Sequence, residues 1–323
     1  MKHIFPLLII LSLFTSCEKK KESESAKATF LTRKPSIDTL KPLHPADSAK
    51  IQEYVNSKED CSYIIVEWCQ VYEDTALTKK AASLPFATPV KVLTALYDEV
   101  PLHIQNTWQH KVLLIQFPSG HDEDSLIGYV YETDLSFFAA KASDGNLILA
   151  GFDNFETSPL TGKLIVVDTL NRMMDKVSFP MIGGYENESG IKSFGYYTEG
   201  KITFDHVASG FRDLLSIYLY YPACGYMATE QIFNYHNQRL TPIASCNSGS
   251  DAGYYHAESY LIFPDEPKGK PNHIFKVDHS VEYEFDENEE YKVLNDDSLL
   301  VQLKWDMDKG VIKADTVYNN FDN

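Results

Sequence analysis

The chain has 323 residues, 44% of them hydrophobic and 23% charged, a globular balance with room for two domains of ordinary size. Its 29 basic and 46 acidic residues give a formal net charge of −17, and no basic patch stands out beyond Lys19–Lys21, which argues against a nucleic-acid partner. Aromatic residues reach 13%, with twenty tyrosines, and such side chains favour pleated, half-buried surfaces.

The N-terminus reads first. Lys2 and His3 precede an apolar run from Ile4 to Phe14, broken only by Pro6 and Ser12. The run is shorter than the ~20 residues a bilayer-spanning helix needs, and it has the length of a secretory signal core. The small pair Thr15-Ser16 then leads into Cys17. This stretch resembles a bacterial lipoprotein signal, whose lipobox reads apolar, small, small, Cys, with Phe14 where leucine is usual. The resemblance implies removal of residues 1–16 as a signal peptide, diacylglycerol on the Cys17 sulfur and a third acyl chain on its new amine. Residues 17–45 carry no apolar period and read as a lipid-anchored flexible tether. The start EKKKESE is loosely similar to lipoproteins of the Bacteroidota, in which acidic residues near the cysteine direct export to the surface. The expected location is therefore the bacterial cell envelope, at the outer membrane, with the periplasmic or surface-exposed face left open.

Ala49, Tyr54 and Val55 lie at rough helical spacing behind Asp47 or Ser48 as cap, which predicts a short helix over 46–58. Beyond it the helical period nearly vanishes. Ile64 to Val66, Val71-Tyr72, Val90 to Leu96, Val112 to Phe117 and Ile127 to Tyr131 are β-rich runs split by turn residues. Five short strands in this span describe a small barrel.

Three blocks here resemble bacterial SH3 (SH3b) domains, over about 61–137. QVYEDTALTKKAASLPFATPVKVLTAL matches the family's opening, with Leu84 closing the first loop, Pro85 to Thr88 in a tight turn and Val90, Val92 and Leu93 entering the next strand. NTWQHKVLLIQF matches its "W-x-K-V" strand. LIGYVYETDL matches its closing "G-W-V-x-x-x-D-L", with Tyr129 in place of tryptophan. The resemblance implies an SH3-like barrel over 59–140, with Val71, Leu84, Val90, Val112 and Val130 inward. Gly128 would permit a close backbone approach, and Asp134-Leu135 would suit a closing 3-10 turn. SH3b domains often accompany NlpC/P60 peptidases, and Asp60-Cys61-Ser62 resembles their D-C-S motif. In those enzymes the cysteine opens a helix, whose dipole favours the thiolate. Tyr-Ile-Ile-Val follows Ser62, so a strand is expected and a catalytic Cys61 is not.

Residues 141–323 resemble no nameable family. They read as a larger antiparallel β domain, a sandwich or a curled sheet, which makes the whole fold all-β. Candidate strands run from Leu147 to Ala150, Leu164 to Val167, Lys201 to Phe204, Leu214 to Tyr221 and Gln231 to Tyr235. Others run from Tyr260 to Phe263, Ile274 to Val277, Ser280 to Phe285, Leu299 to Trp305 and Val311 to Tyr318. Val281, Tyr283 and Phe285 alternate with acidic residues, as on a half-buried strand.

Cys61, Cys69, Cys224 and Cys246 allow up to two disulfides in an exported chain. Cys61 and Cys69 flank a single extended run, too long for a bridge, so Cys69 is expected in the core. Cys224 and Cys246 bracket a candidate hairpin and are a possible disulfide.

Chemistry is sparsely signalled. His256 and Glu258 share a strand face but lack a third ligand. Asp306-Met-Asp308-Lys-Gly310 lacks the closing glutamate of a calcium loop and reads as a hairpin turn. Asp205-His206 and Asp278-His279 are acid–base pairs without a nucleophile motif, and Gly183-Gly184 lacks phosphate-loop spacing. Tyrosines 218, 220, 221, 254, 255 and 260 are sheet core or a sugar-stacking surface. No catalytic residue, metal or cofactor is assigned. The expected function is a non-catalytic envelope lipoprotein whose SH3b-like barrel binds a wall peptide or protein partner. The alternatives are a hydrolase with its site in the C-terminal half, and a dedicated assembly-factor or immunity-type partner protein.

Overall fold

The computed structural model describes residues 61–93, 102–105, 108–119, 125–154, 160–181, 185–186, 189–190, 192–193, 197–203, 210–220, 226–251, 254–285, 291–306 and 310–319. The expected signal peptide, tether and helix over 1–16, 17–45 and 46–58 lie outside them. The fold is all-β, in three sheets whose pairings are antiparallel save one, and no α-helix occurs among the described residues.

Sheet I begins with β1 (Cys61–Tyr63), β2 (Trp68–Tyr72), β3 (Lys80–Pro85), β4 (Pro89–Val92), β5 (Leu102–Gln105), β6 (Trp108–Pro118) and β7 (Ser125–Tyr131). The run CSYIIVEWC, expected as one strand, is broken between β1 and β2. Ile64 and Ile65 are both buried, but in different clusters, so the chain serves two cores in succession and loses its ladder there. Residues 61–72 still run antiparallel to 92–80: Ser62 opposes Val90, Cys69 opposes Leu84, and between them Ala87 N–H donates to Ile64 O (2.8 Å). Ala87 meets this bend with φ +60°, and Thr88 N–H donates back to Pro85 O at 3.3 Å, the tight turn expected there. β4 pairs with β6, β6 with β7, and β7 returns to β2 through Tyr72 and Tyr129.

Val71, Leu84, Val90 and Val130 are buried together with Ile64, Cys69, Ile115, Phe117 and Leu135. Val112 is also buried, yet it does not join them. On β6 burial falls on residues 108, 110 and 112 and then on 115 and 117, so the long strand changes which face it buries midway. Gly128 is required by its neighbours, since a Cβ there would lie 2.3 Å from Val71 Cγ1 and 3.0 Å from Tyr72 O. A 3-10 turn, Glu132–Asp134, follows β7, and Leu135 then bridges to Ile64.

Sheet II comprises β8 (Phe138–Lys141), β9 (Leu147–Asn154), β10 (Thr161–Val167) and β11 (Met173–Pro180), in the order β11-β10-β9-β8. The expected boundary between 140 and 141 thus falls inside β8. The short hairpin of β12 (Tyr185–Glu186) and β13 (Lys192–Ser193) returns to sheet I, where β13 runs parallel to β6.

Sheet III is a meander of eight sequential strands: β14 (Tyr197–Thr203), β15 (Asp213–Tyr220), β16 (Ala228–His236), β17 (Arg239–Asp251), β18 (Tyr255–Ile262), β19 (His273–Phe285), β20 (Tyr291–Asp306) and β21 (Gly310–Asn319). The runs 274–277 and 280–285, expected as two strands, are one. Asp306 opposes Gly310 across the β20–β21 connection, as a hairpin requires.

β9 and β10 read as unbroken apolar runs because both faces of sheet II are covered. Ile148, Ala150, Leu164 and Val166 pack with Leu215, Ile217 and Phe233 of sheet III. Leu149, Ile165 and Val167 pack with Tyr63, Ile65 and Ala87 of sheet I. Polar ties reinforce both contacts: Ser62 Oγ donates to Ser136 O (2.7 Å), Tyr235 OH to Asp144 Oδ2 (2.6 Å) and Ser143 Oγ to Asp213 Oδ2 (2.6 Å). The described residues accordingly belong to one compact unit.

Asp134 sits where sheets I and II meet. Burial pushes its carboxyl up to about 6, against the opposing hydrogen bond from Cys69 Sγ (3.6 Å) and the charge of Lys163. Cys69, Tyr72, Tyr131 and Lys163 are its titratable neighbours. The folded chain holds this proton more tightly than the unfolded chain, so its binding favours folding fully below about pH 4 and this contribution fades as pH rises through 6. By linkage it is on the order of 3 kcal/mol. Urea unfolding at stepped pH should show Asp134→Asn flattening the fall in stability between pH 4 and 6. An unchanged slope would rule this carboxyl out as its source.

Candidate functional site

Residue spacing on three neighbouring strands builds a polar groove. Leu261 and Ser259 on β18 oppose Lys276 and Asp278 on β19, which in turn oppose Val301 and Leu299 on β20, so these side chains share one face. At one end that face is apolar: Leu261, Ile274, Val301, Leu303 and Trp305 pack with Phe211, Leu214, Ile232, Ile243, Cys246 and Phe263. Sheet III therefore curls, bringing β15–β17 over β18–β21. Towards the other end the same strands turn polar together, at Ser259, Lys276, Asp278, Ser280 and Asp297. Met227 and Asn247 border this end, and the groove so formed has a volume of about 570 Å³.

Its floor is a fixed network. Ser259 Oγ donates to Asp278 Oδ1 at 2.6 Å, and Lys276 Nζ reaches the same oxygen at 2.9 Å. Thr229 Oγ1 donates to Asn247 Oδ1 at 2.9 Å and holds that amide in place. The rim depends on Gly249, where a Cβ would meet Met227 Sδ at 2.6 Å and Tyr226 O at 3.3 Å. A side chain at 249 would have to displace the Met227 thioether from the groove border.

The sequence candidates separate. Asp278 and His279 are consecutive on β19 and so point to opposite faces, which prevents them from acting as an acid–base pair on one substrate. His279 Nε2 instead lies 2.9 Å from Asp296 Oδ1, and its Nδ1 lies 3.8 Å from Glu258 Oε1. His256 Nε2 and Glu258 Oε2 are 3.8 Å apart, as their shared face predicts. No group of three or more His, Cys, Asp or Glu suited to a metal ion occurs among the described residues. Asp205, His206, Gly183, Gly184, Tyr221, Cys17 and Cys224 lie outside those residues. Cys246, the other half of the expected disulfide, is buried on β17, which pushes its thiol up to about 12.

Cys61 opens a strand paired with β4, not a helix, so it lacks the dipole a D-C-S nucleophile uses. Cys69 is fully buried in the sheet I core, as expected, and no disulfide joins it to Cys61. The tyrosines form no single platform: Tyr218 and Tyr220 neighbour each other on β15 (5.4 Å between rings), while 254, 255 and 260 belong to β18 and its approach. Sequence reading missed Ser259, Lys276, Asn247 and Asp297. The signal available was polar residues alternating along β18 and β19, which only the register brings into one groove.

Comparison with protein-family models, with curated proteins and with solved structures gives no match. The site therefore rests on its own geometry.

Proposed function

We propose that this protein is a non-catalytic cell-envelope lipoprotein, anchored by lipid on Cys17, whose SH3b-like module over 59–140 binds a wall peptide or protein. The pairing circuit of residues 61–135 is the observation that supports it best. A long hairpin, a tight turn at 85–88, two further strands that return to β2, and a closing 3-10 turn occur in the order the SH3b resemblance implies. The lipid anchor rests on residues 1–17 and their resemblance to a lipoprotein signal.

The groove chemistry fits binding better than turnover. A hydrolase needs a nucleophile, a base within hydrogen-bond reach and a stabiliser of developing charge. The Ser259 hydroxyl is directed at a carboxylate already paired with Lys276, and the nearest histidine, His279, belongs to the other face.

The mature chain is expected to bind sugar-free wall stem peptides and to leave peptidoglycan fragments, peptides and simple esters unhydrolysed, with or without divalent metal. Turnover abolished by Asp278→Ala or His279→Ala would replace this reading with that of a hydrolase. Absence of stem-peptide binding would remove the peptide role of the SH3b-like module.

A further inference from the structure

We propose that the groove at the polar end of the sheet III curl binds a neutral, hydroxyl-rich ligand, a short oligosaccharide. This goes beyond the SH3b-like module and uses a different part of the molecule, while sharing the premise that the protein binds without turnover.

Charge compensation within the groove comes first. Lys276 offsets Asp278, and Asn295 Nδ2 donates to Asp297 Oδ2 at 2.7 Å. These contacts fix the carboxylates in place without using up their lone pairs, since each ionised carboxylate offers about four acceptor positions. Oriented acceptors beside serine hydroxyls and an amide suit a ligand that both donates and accepts at every position, as sugar hydroxyls do. An anionic ligand would meet Asp278 and Asp297 on a chain of net charge −17.

Over the groove, residues 257–259 of β18 pair with 278–280 of β19, and these pair with 297–299 of β20, so the groove floor is a sheet surface and recognition there falls to its side chains. Aromatic surface is close by: Tyr226, 54% exposed, directly precedes Met227, which lines the groove. Tyrosine presents an apolar face for sugar C–H groups and a hydroxyl to the solvent. A volume of about 570 Å³ is within the range of small-ligand sites.

The test is calorimetric titration of the full mature chain with neutral hexasaccharides of glucose (α- and β-linked), mannose, xylose and N-acetylglucosamine, with oligogalacturonate as the anionic comparison. At least one neutral glycan should bind with a Kd below about 1 mM, and oligogalacturonate about tenfold more weakly. Ser280→Trp, at an exposed position on the groove wall, should abolish binding with the melting temperature retained. Ser259→Ala should weaken it about tenfold. No binding by any neutral glycan, stronger binding of oligogalacturonate, or binding unaffected by Ser280→Trp would each overturn the proposal. Stem-peptide binding that survives Ser280→Trp would show that the two sites stand or fall separately.

Discussion

Leu164→Asp is expected to abolish folding. Leu164 has no solvent exposure and lies in β10, the strand flanked on both sides within sheet II, against the cluster shared with sheet III. Its removal forfeits about 1.5–3 kcal/mol of burial. The larger cost is the carboxylate, which would enter an apolar layer and would have to protonate or drag in water. Natural domains are stable by only about 5–15 kcal/mol, so this one change consumes most or all of the margin. Circular dichroism melts of the purified variant should show no cooperative transition, or the chain should be recovered only as aggregate. Two companions calibrate the result. Leu164→Met should cost under about 1.5 kcal/mol, because volume is nearly conserved. Leu170→Asp, at a position 61% exposed, should fall within about 0.5 kcal/mol of the parent. A Leu164→Asp protein that melts like the parent would show that sheet II is not the layer joining the other two.

Cys17→Ser is expected to move the protein out of the membrane fraction entirely. The anchor in the proposed reading is covalent lipid, and each buried acyl CH₂ contributes about 0.8 kcal/mol, so two or more chains hold firmly where one holds marginally. Serine provides no thiol for the diacylglycerol transfer, and the precursor should then accumulate or be released in soluble form. Fractionation of cells carrying either form, with detection of the mature and precursor masses, reads the outcome directly. Among the described residues no helix is long and apolar enough to cross a membrane. Retention of the Cys17→Ser chain in membranes at the level of the parent would remove the lipoprotein assignment.

Several local features were legible because their causes are local. Alternation in Leu299 to Trp305 and in Val281 to Phe285 predicts half-buried strands, and β20 and β19 contain them. The 3-10 turn at 132–134 follows from short-range backbone geometry, whereas the crowding that demands glycine at 128 comes from Val71 and Tyr72 on a strand distant in sequence. Val112 marks the limit. Its apolar character predicts burial correctly, but burial in which core depends on where β6 switches faces, and that is set by partners up to eighty residues away.

The candidate site shows the same division more sharply. Asp278-His279 looks like a functional pair in sequence because adjacent residues are easily read together. On a strand, adjacency means opposition, and the true neighbours of Asp278 are Ser259 on the next strand and Lys276 two positions back. Asn247 faces the groove from β17, beyond any local pattern.

By itself, the sequence determined an all-β chain of strands and turns, because alternation, β-branching and turn residues act over a few positions. It also held Cys69 in a core and Cys61 off a helix, since both depend on the residues immediately around them. The tertiary structure alone decided that sheet II is a middle layer, that sheet III curls over its own apolar face, and that a polar groove opens where that face ends. Those outcomes rest on pairing register and on burial between distant segments, and a register is an agreement between two strands that neither strand's sequence contains.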